Sequence, residues 1–396
     1  MSIATGPLNP QVAVPGERAP ASNPGIRWEL WCGALGISCS TFGLEWDIAW
    51  HYSIGRDTFW TPAHVLIYFS GFLASLVCSY LIFVTTFGSS PAMRANSVSV
   101  LGFRAPLGCF LAAWGGLAML VALPFDNWWH AAYGVDVHLI TPPHMVLFGG
   151  VILIGLGFLL LVVSAMNRAE ARGAANYQAL RRLFLYLGAV IVYEHMLGVT
   201  QLAERTWLHG AGPYKAMALA VSALFPLISR VSRYRWAATW AASLYMVVRM
   251  ATILIFPLFP ATPKLGPVLN PITHFQPLQF PILIILPAMA LDLLWRRTAR
   301  LPLWLTGAAS GLVFSAVLFP AEWFFADFMG TRGAANRFFG GIYFPYGASM
   351  EDRLPHYARV QSGSTLLHGM LVATAIAIVG SWVGMLVGRW MRSVQR

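Results

Sequence analysis

Residues 46–64 read WDIAWHYSIGRDTFWTPAH, and residues 125–144 read FDNWWHAAYGVDVHLITPPH. Laid side by side, the two stretches share one pattern. An Asp (Asp47, Asp126) is followed four residues later by a His (His51, His130) that has a Trp before it. A Gly (Gly55, Gly134), a second Asp (Asp57, Asp136) and a Thr-Pro-x-His ending (His64, His144) follow, with one extra residue before the second Thr-Pro. The whole chain of 396 residues holds only 10 His and 15 Asp plus Glu, so composition bias does not produce such a match. Each stretch also lies between two apolar runs, which makes it the turn of a helical hairpin.

Working outward, the composition is that of a membrane protein. The chain is 57% hydrophobic and 10% charged, where a soluble domain carries about a quarter charged residues. Its mean hydropathy is +0.63. Sixteen Trp fit side chains at the two membrane–water interfaces. The net charge of +11 does not indicate nucleic acid, because 24 of the 26 basic residues are Arg and most gather in short loops. Cys32, Cys39, Cys78 and Cys109 stand singly in apolar runs without a CxxC pair, and read as packing residues. Residues 1–26, rich in Pro, Ala and Gly, read as a disordered cytoplasmic tail with no cleavable signal peptide.

A spanning helix needs about 20 mostly apolar residues. Ten segments qualify: 28–50, 62–87, 100–124, 143–166, 181–203, 214–230, 235–258, 275–296, 302–321 and 365–388. The fold class is therefore all-α, a polytopic membrane helix bundle of about ten spans. One domain covers 27–396: the paired Asp/His hairpins over 27–168, then further helices over 169–396 with an outer loop at 322–364. One side of the bundle receives 17 of the 26 basic residues and the other eight. That asymmetry predicts cytoplasmic termini and outward-facing Asp/His turns, periplasmic in an inner (cytoplasmic) bacterial membrane.

Asp47 and His51, at i and i+4, share a helix face at the outer end of the first span. Thr61 is a natural N-cap and Pro62 a natural first residue for the next helix, which puts His64 in its first turn. Asp126, His130 and His144 repeat this arrangement, with Thr141 and Pro142 as cap and first residue. The hairpins run in the same direction, as in a parallel repeat about an axis along the membrane normal.

One Asp and two His supply three metal ligands and leave coordination positions open, which favours catalysis or reversible binding over a closed structural site. The set suits non-haem iron(II), and imidazole also suits copper, zinc or nickel. Asp57 and Asp136 are expected to orient ligand imidazoles from outside the ligand set. Arg56, replaced by Val135 in the second stretch, lies outside the shared chemistry and is expected to anchor Asp57. Within the bilayer, Glu194 and His195 fall in the fifth span and Arg249 in the seventh. Such residues are usually paired or functional, and the choice is between a Glu194–Arg249 ion pair and a part in proton or electron delivery.

The run His51-x4-Arg56-Asp57-x3-Thr61-Pro62-x-His64, with Asp47 ahead of it, resembles the C subunit of the copper membrane monooxygenases, the particulate methane and ammonia monooxygenases. In that subunit an Asp, a His four residues on and a second His thirteen residues later bind copper, a spacing that Asp47, His51 and His64 match. A second family site uses Asn, His and His, the two His fourteen residues apart. His130 and His144 keep that separation, with Asp126 at the Asn position. The resemblance covers residues 28–168; the last five spans have no counterpart in it, and no cupredoxin domain is present in the sequence.

The resemblance implies copper as cofactor and an oxygen-dependent oxidation of a small apolar substrate arriving through lipid. It assigns Asp126, His130 and His144 to the reaction and Asp47, His51 and His64 to a companion site. It also implies partner subunits, a periplasmic cupredoxin-like chain among them, and a homo-oligomer is a further expectation. A rival reading is a protein that handles copper, for uptake, storage or cofactor insertion. The two triads are expected either as separate mononuclear sites or as one dinuclear centre.

Overall fold

A computed structural model of the chain describes residues 26–88, 90–134, 140–205, 209–349 and 360–395, without the side chains of 201–205. The fold is all-α. The helices are α1 (Trp28–Ser53), α2 (Pro62–Phe87), a short α3 (Pro91–Ala95), α4 (Leu107–Tyr133), α5 (Pro142–Ala171) and α6 (Tyr177–Arg205). There follow α7 (Ala211–Val221), α8 (Leu224–Ser232), α9 (Ala237–Ile255), α10 (Ile285–Arg297), α11 (Leu303–Met329) and α12 (Gly363–Met391). Among the described residues the strands are β1 (Val98–Val100) and β2 (Phe103–Ala105), an antiparallel pair that turns the chain between α3 and α4.

Among the described residues, eight segments are long and apolar enough to cross a bilayer: α2, α4, α5, α6, the α7–α8 pair, α9, α11 and α12. The chain is a multi-pass membrane protein. α1 equals them in length at 26 residues, but Glu29, Glu45 and Asp47 make it more polar. It packs among α2, α5 and α6. The eighth expected span is corrected. Within 275–296 only Ile285–Arg297 is helical, 13 residues that cannot cross alone. Pro277 and Pro281 have no N–H to give a helical ladder, so the chain enters α10 extended.

Two other boundaries differ for the opposite reason. The sequence reading ends its third and ninth spans near Pro124 and Pro320, yet α4 and α11 run through those prolines to Tyr133 and Met329. Neighbouring helices let a membrane helix tolerate such a break. The continuation matters, because the last two turns of α4 carry Asp126 and His130.

Small residues set how closely the hairpins pack. On α4 and α5, a Cβ on Gly115 would stand 2.6 Å from the Gly150 carbonyl oxygen, and one on Gly157 would stand 2.6 Å from that of Gly108. The backbones thus touch along two turns of each helix, as in membrane helix pairs joined by small residues. Side chains such as Phe72, Leu76 and Phe83 on α2, and Trp114, Leu117 and Val121 on α4, are exposed and turn toward lipid.

Candidate metal centre

The first turn is braced before its ligands are considered. Pro62 occupies the first helical position of α2, as expected. Thr61 does not cap that helix; its Oγ1 accepts from the Thr58 N–H at 2.8 Å, and the Thr61 N–H donates to the Thr58 carbonyl at 2.9 Å. The Thr58 carbonyl also faces Nδ1 of His64 at 2.9 Å. A carbonyl only accepts, so Nδ1 carries the proton, and in the neutral ring Nε2 is left with a lone pair. This is the orienting bond that a metal-binding imidazole ordinarily makes on its far side.

Nε2 of His64 lies 3.0 Å from Oδ1 of Asp47, and Nε2 of His51 lies 3.8 Å from Oδ2 of Asp47. Among the described residues, Asp47, His51 and His64 are the group whose ligand atoms all fall within 4.8 Å of one another. Oδ1 of Asp47 is buried and, among the described residues, faces the Nε2 of His64, which offers it a lone pair when the ring proton is on Nδ1. A buried carboxylate oxygen without a donor is costly. A cation held between these atoms would satisfy it, so the donor set fits a divalent transition ion.

Asp57 is not where the sequence placed it. Its Oδ2 faces the same two Nε2 atoms, at 3.5 Å from His51 and 3.4 Å from His64. It therefore lies against the metal-facing nitrogens and not on the far side of a ring, and the Thr58 carbonyl does the orienting of His64. Arg56 does not anchor it. That side chain is exposed, and its backbone carbonyl accepts from Trp50 Nε1 at 3.0 Å.

The second hairpin brings Asp126, His130 and His144 together less tightly. Nε2 of His130 is 3.4 Å from Oδ2 of Asp126, and Nε2 of His144 is 3.6 Å from its Oδ1. Oδ1 of Asp126 is again buried, and no hydrogen bond reaches it among the described residues. Asp136 lies outside the described residues. The clusters are neighbours: Asp47 is within coulombic reach of His144, and His130 within that of Asp57. Tyr68, which the sequence reading overlooked, stands by both. Its ring centroid is 5.8 Å from that of His64, and its hydroxyl feels Asp126, Asp47 and Asp57. Phe148 takes the matching place beside His144, at 6.2 Å. Four residues after each Thr-Pro-x-His, these positions were open to a search by helical spacing.

The later part of the chain holds the first turn in place. Lys264 N–H donates to the Ile54 carbonyl at 2.8 Å, Gln276 N–H to Ser53 Oγ at 2.7 Å, and Tyr346 N–H to the Tyr52 carbonyl at 3.0 Å. Burial pushes the Tyr346 phenol above its ordinary pKa, so it remains a neutral hydroxyl against Gly55.

Of the two alternatives for the intramembrane charges, the Glu194–Arg249 ion pair does not form. Arg249 Nη1 donates instead to Oε1 of Glu45 at 2.7 Å, and its other amino group to the Gln279 carbonyl. Tyr193 and Thr252 hydroxyls also donate to Glu45, at 2.8 and 2.9 Å. Glu194 accepts from Ser40 and Thr41 hydroxyls, each at 2.9 Å, and His195 Nδ1 faces the Ile191 carbonyl at 2.8 Å. Glu45 escaped notice because the Asp47–His51 motif begins two residues later. Compared with family models, with curated proteins and with solved structures, the chain finds no match.

Proposed function

We propose that this chain is a metal-binding integral membrane protein in which Asp47, His51 and His64 hold a transition ion, copper in the reading that the monooxygenase resemblance supplies. It takes part in the oxygen-dependent oxidation of a small apolar substrate at the outer membrane face. The observation that carries this reading is the convergence of ligand atoms from Asp47, His51 and His64 within 4.8 Å of one another, with Oδ1 of Asp47 buried against Nε2 of His64. Bound copper supplies the redox chemistry with dioxygen. The chain's part is to fix the donors, exclude water and admit substrate from lipid.

Asp126, His130 and His144 form the reaction site in this reading. Their looser spacing agrees with coordination positions kept for reactants. The paired hairpins derive from a repeat, both termini are cytoplasmic, and both clusters face the periplasm of an inner membrane, as the Arg distribution indicates. Electrons come from other chains, a cupredoxin-like subunit among them. Copper transport has less support. A ligand trail would have to cross the bilayer, but Glu45 and Arg249 neutralise each other and Glu194 is engaged by Ser40 and Thr41.

The test is to load membranes containing the chain and its native partners with copper and offer short hydrocarbons or ammonia under air. Oxidised product that requires oxygen, and that disappears in His130→Ala, is expected. Copper flux into vesicles without any oxidised product would overturn the reading.

A further inference from the structure

We propose that Arg230 on α8 and Arg389 and Arg392 at the end of α12 form a binding site for the phosphate of an anionic phospholipid. The acyl chains of that lipid lie along the exposed side chains of α12. The site is independent of the Asp/His clusters and of any metal.

It lies at the other end of the bundle from them. α5 carries His144 in its first turn and Asn167 near its end, a separation of about 35 Å along the helix. Asn167 Nδ2 donates to the carbonyls of Met391 and Val394, at 2.8 and 2.7 Å. Those bonds fix the end of α12 beside the end of α5.

Three guanidinium groups from two helices gather there. Arg230 is in the last turn of α8, Arg389 is in the last turn of α12, and Arg392 follows that turn as its cap. Gly388 lets the two helices close: a Cβ on it would stand 3.1 Å from Cβ of Arg230 and 3.3 Å from Cα of Leu227. The stem of Arg230 is thus held against α12, and its charge is within coulombic reach of both Arg389 and Arg392.

The protein leaves these charges unbalanced. Among the described residues, Arg27 pairs with Glu29, Arg233 with Glu170 and Arg249 with Glu45, and no carboxylate pairs with the three. A helix C-terminus offers about half an elementary negative charge. The ends of α8 and α12 therefore offset about one of three positive charges. The remainder repel one another beside a low-dielectric bundle, where such repulsion is strong. An anion bound among them removes that cost, and a guanidinium fork matches phosphate oxygens two at a time.

The surroundings select a lipid over a soluble anion. Trp382, Leu386 and Arg389 follow at i, i+4 and i+7, on one face of α12, and all are exposed. That face is apolar until its last turn and cationic there, the reverse complement of a lipid with apolar chains and an anionic head. Trp390, also exposed, stands at the level where indole rings meet headgroups. Basic pockets between membrane helices take anionic headgroups in this way. A lipid so bound bridges α8 and α12.

The experiment titrates the full-length chain in detergent with dioleoyl phosphatidylglycerol, with dioleoyl phosphatidylcholine and inorganic phosphate as separate arms. Native mass spectrometry reads retained lipid, and thermal melting reads affinity. Phosphatidylglycerol is expected to be retained and to raise the melting temperature; phosphatidylcholine and inorganic phosphate are expected to do neither. Each of Arg230→Gln, Arg389→Gln and Arg392→Gln should weaken phosphatidylglycerol about fivefold, and the triple variant roughly a hundredfold. Arg300→Gln is the control. It removes an exposed charge just before α11, whose Gly307 packs on Trp382 at this same end, and should leave the affinity unchanged. Melting in phosphatidylcholine alone checks folding; should the triple variant fail to fold, the single variants carry the test. Equal weakening by Arg300→Gln and Arg389→Gln would overturn the site. Equal stabilisation by inorganic phosphate or by phosphatidylcholine would overturn the choice of an anionic lipid.

Discussion

Arg249 on α9 donates from Nη1 to Oε1 of Glu45 on α1 at 2.7 Å, with both side chains wholly buried. It ties the helix bearing Asp47 to the later part of the bundle. Removing one member of a buried pair leaves an uncompensated charge, which costs about 3–5 kcal/mol, whereas replacing both with apolar side chains is milder. Glu45→Ala should therefore melt well below the wild type in detergent, and Glu45→Leu with Arg249→Met should recover much of the loss. Equal melting of Glu45→Ala and the wild type would contradict the role given to the pair.

A second prediction concerns Gly55. Its φ is +80°, and a Cβ there would stand 2.0 Å from the Tyr346 hydroxyl. Gly55→Ala meets both a left-handed backbone, costing roughly 1–2 kcal/mol, and a clash that displaces the loop carrying Asp57. Metal affinity at the first site should drop, and Tyr346→Ala in the same chain should restore part of it, leaving the backbone penalty. Isothermal titration of the two single variants and the double variant measures that coupling.

The α4–α5 contact predicts a remote effect on the second cluster. Gly115→Val forces a side chain against the Gly150 carbonyl and opens the seam that sets His144 opposite Asp126 and His130. Metal at the second site should be lost before metal at the first. Site-resolved EPR in a His51→Ala background reads the second site alone.

Asp47→Asn should separate stability from binding. The substitution removes the carboxylate that faces both imidazoles, and melting of the metal-free variant beside the metal-free wild type measures what those contacts contribute without metal. Metal at about a thousand times its dissociation constant stabilises a protein by about 4 kcal/mol. That increment should appear in wild-type thermal scans and shrink sharply in the variant. A large metal-induced shift in both proteins would contradict the ligand role of Asp47.

Much of this was legible in the sequence, for physical reasons. The i, i+4 spacing of Asp47 and His51 and the Thr-Pro start of α2 fix local geometry, and local geometry brings His64 back to Asp47. The apolar runs give the spans. Prolines were the harder signal: Pro124 and Pro320 sit inside helices, whereas Pro277 and Pro281 belong to an extended segment. The difference lies in which neighbours satisfy the freed backbone groups, and that is a tertiary property. The partner of Arg249 was hidden for the same reason, since Glu45 lies 204 residues away along the chain. The place of Asp57 depended on a loop held by Trp50, Thr61 and Lys264. Spacing alone does not report on such long-range bracing.

The central claim is tested most directly by metal identity and stoichiometry in protein purified from its native membrane, for the wild type, His51→Ala and His130→Ala. The account predicts bound copper in the wild type and the loss of one equivalent in His51→Ala. Retention of the full metal content in His51→Ala, or a wild type carrying no transition metal, would contradict it.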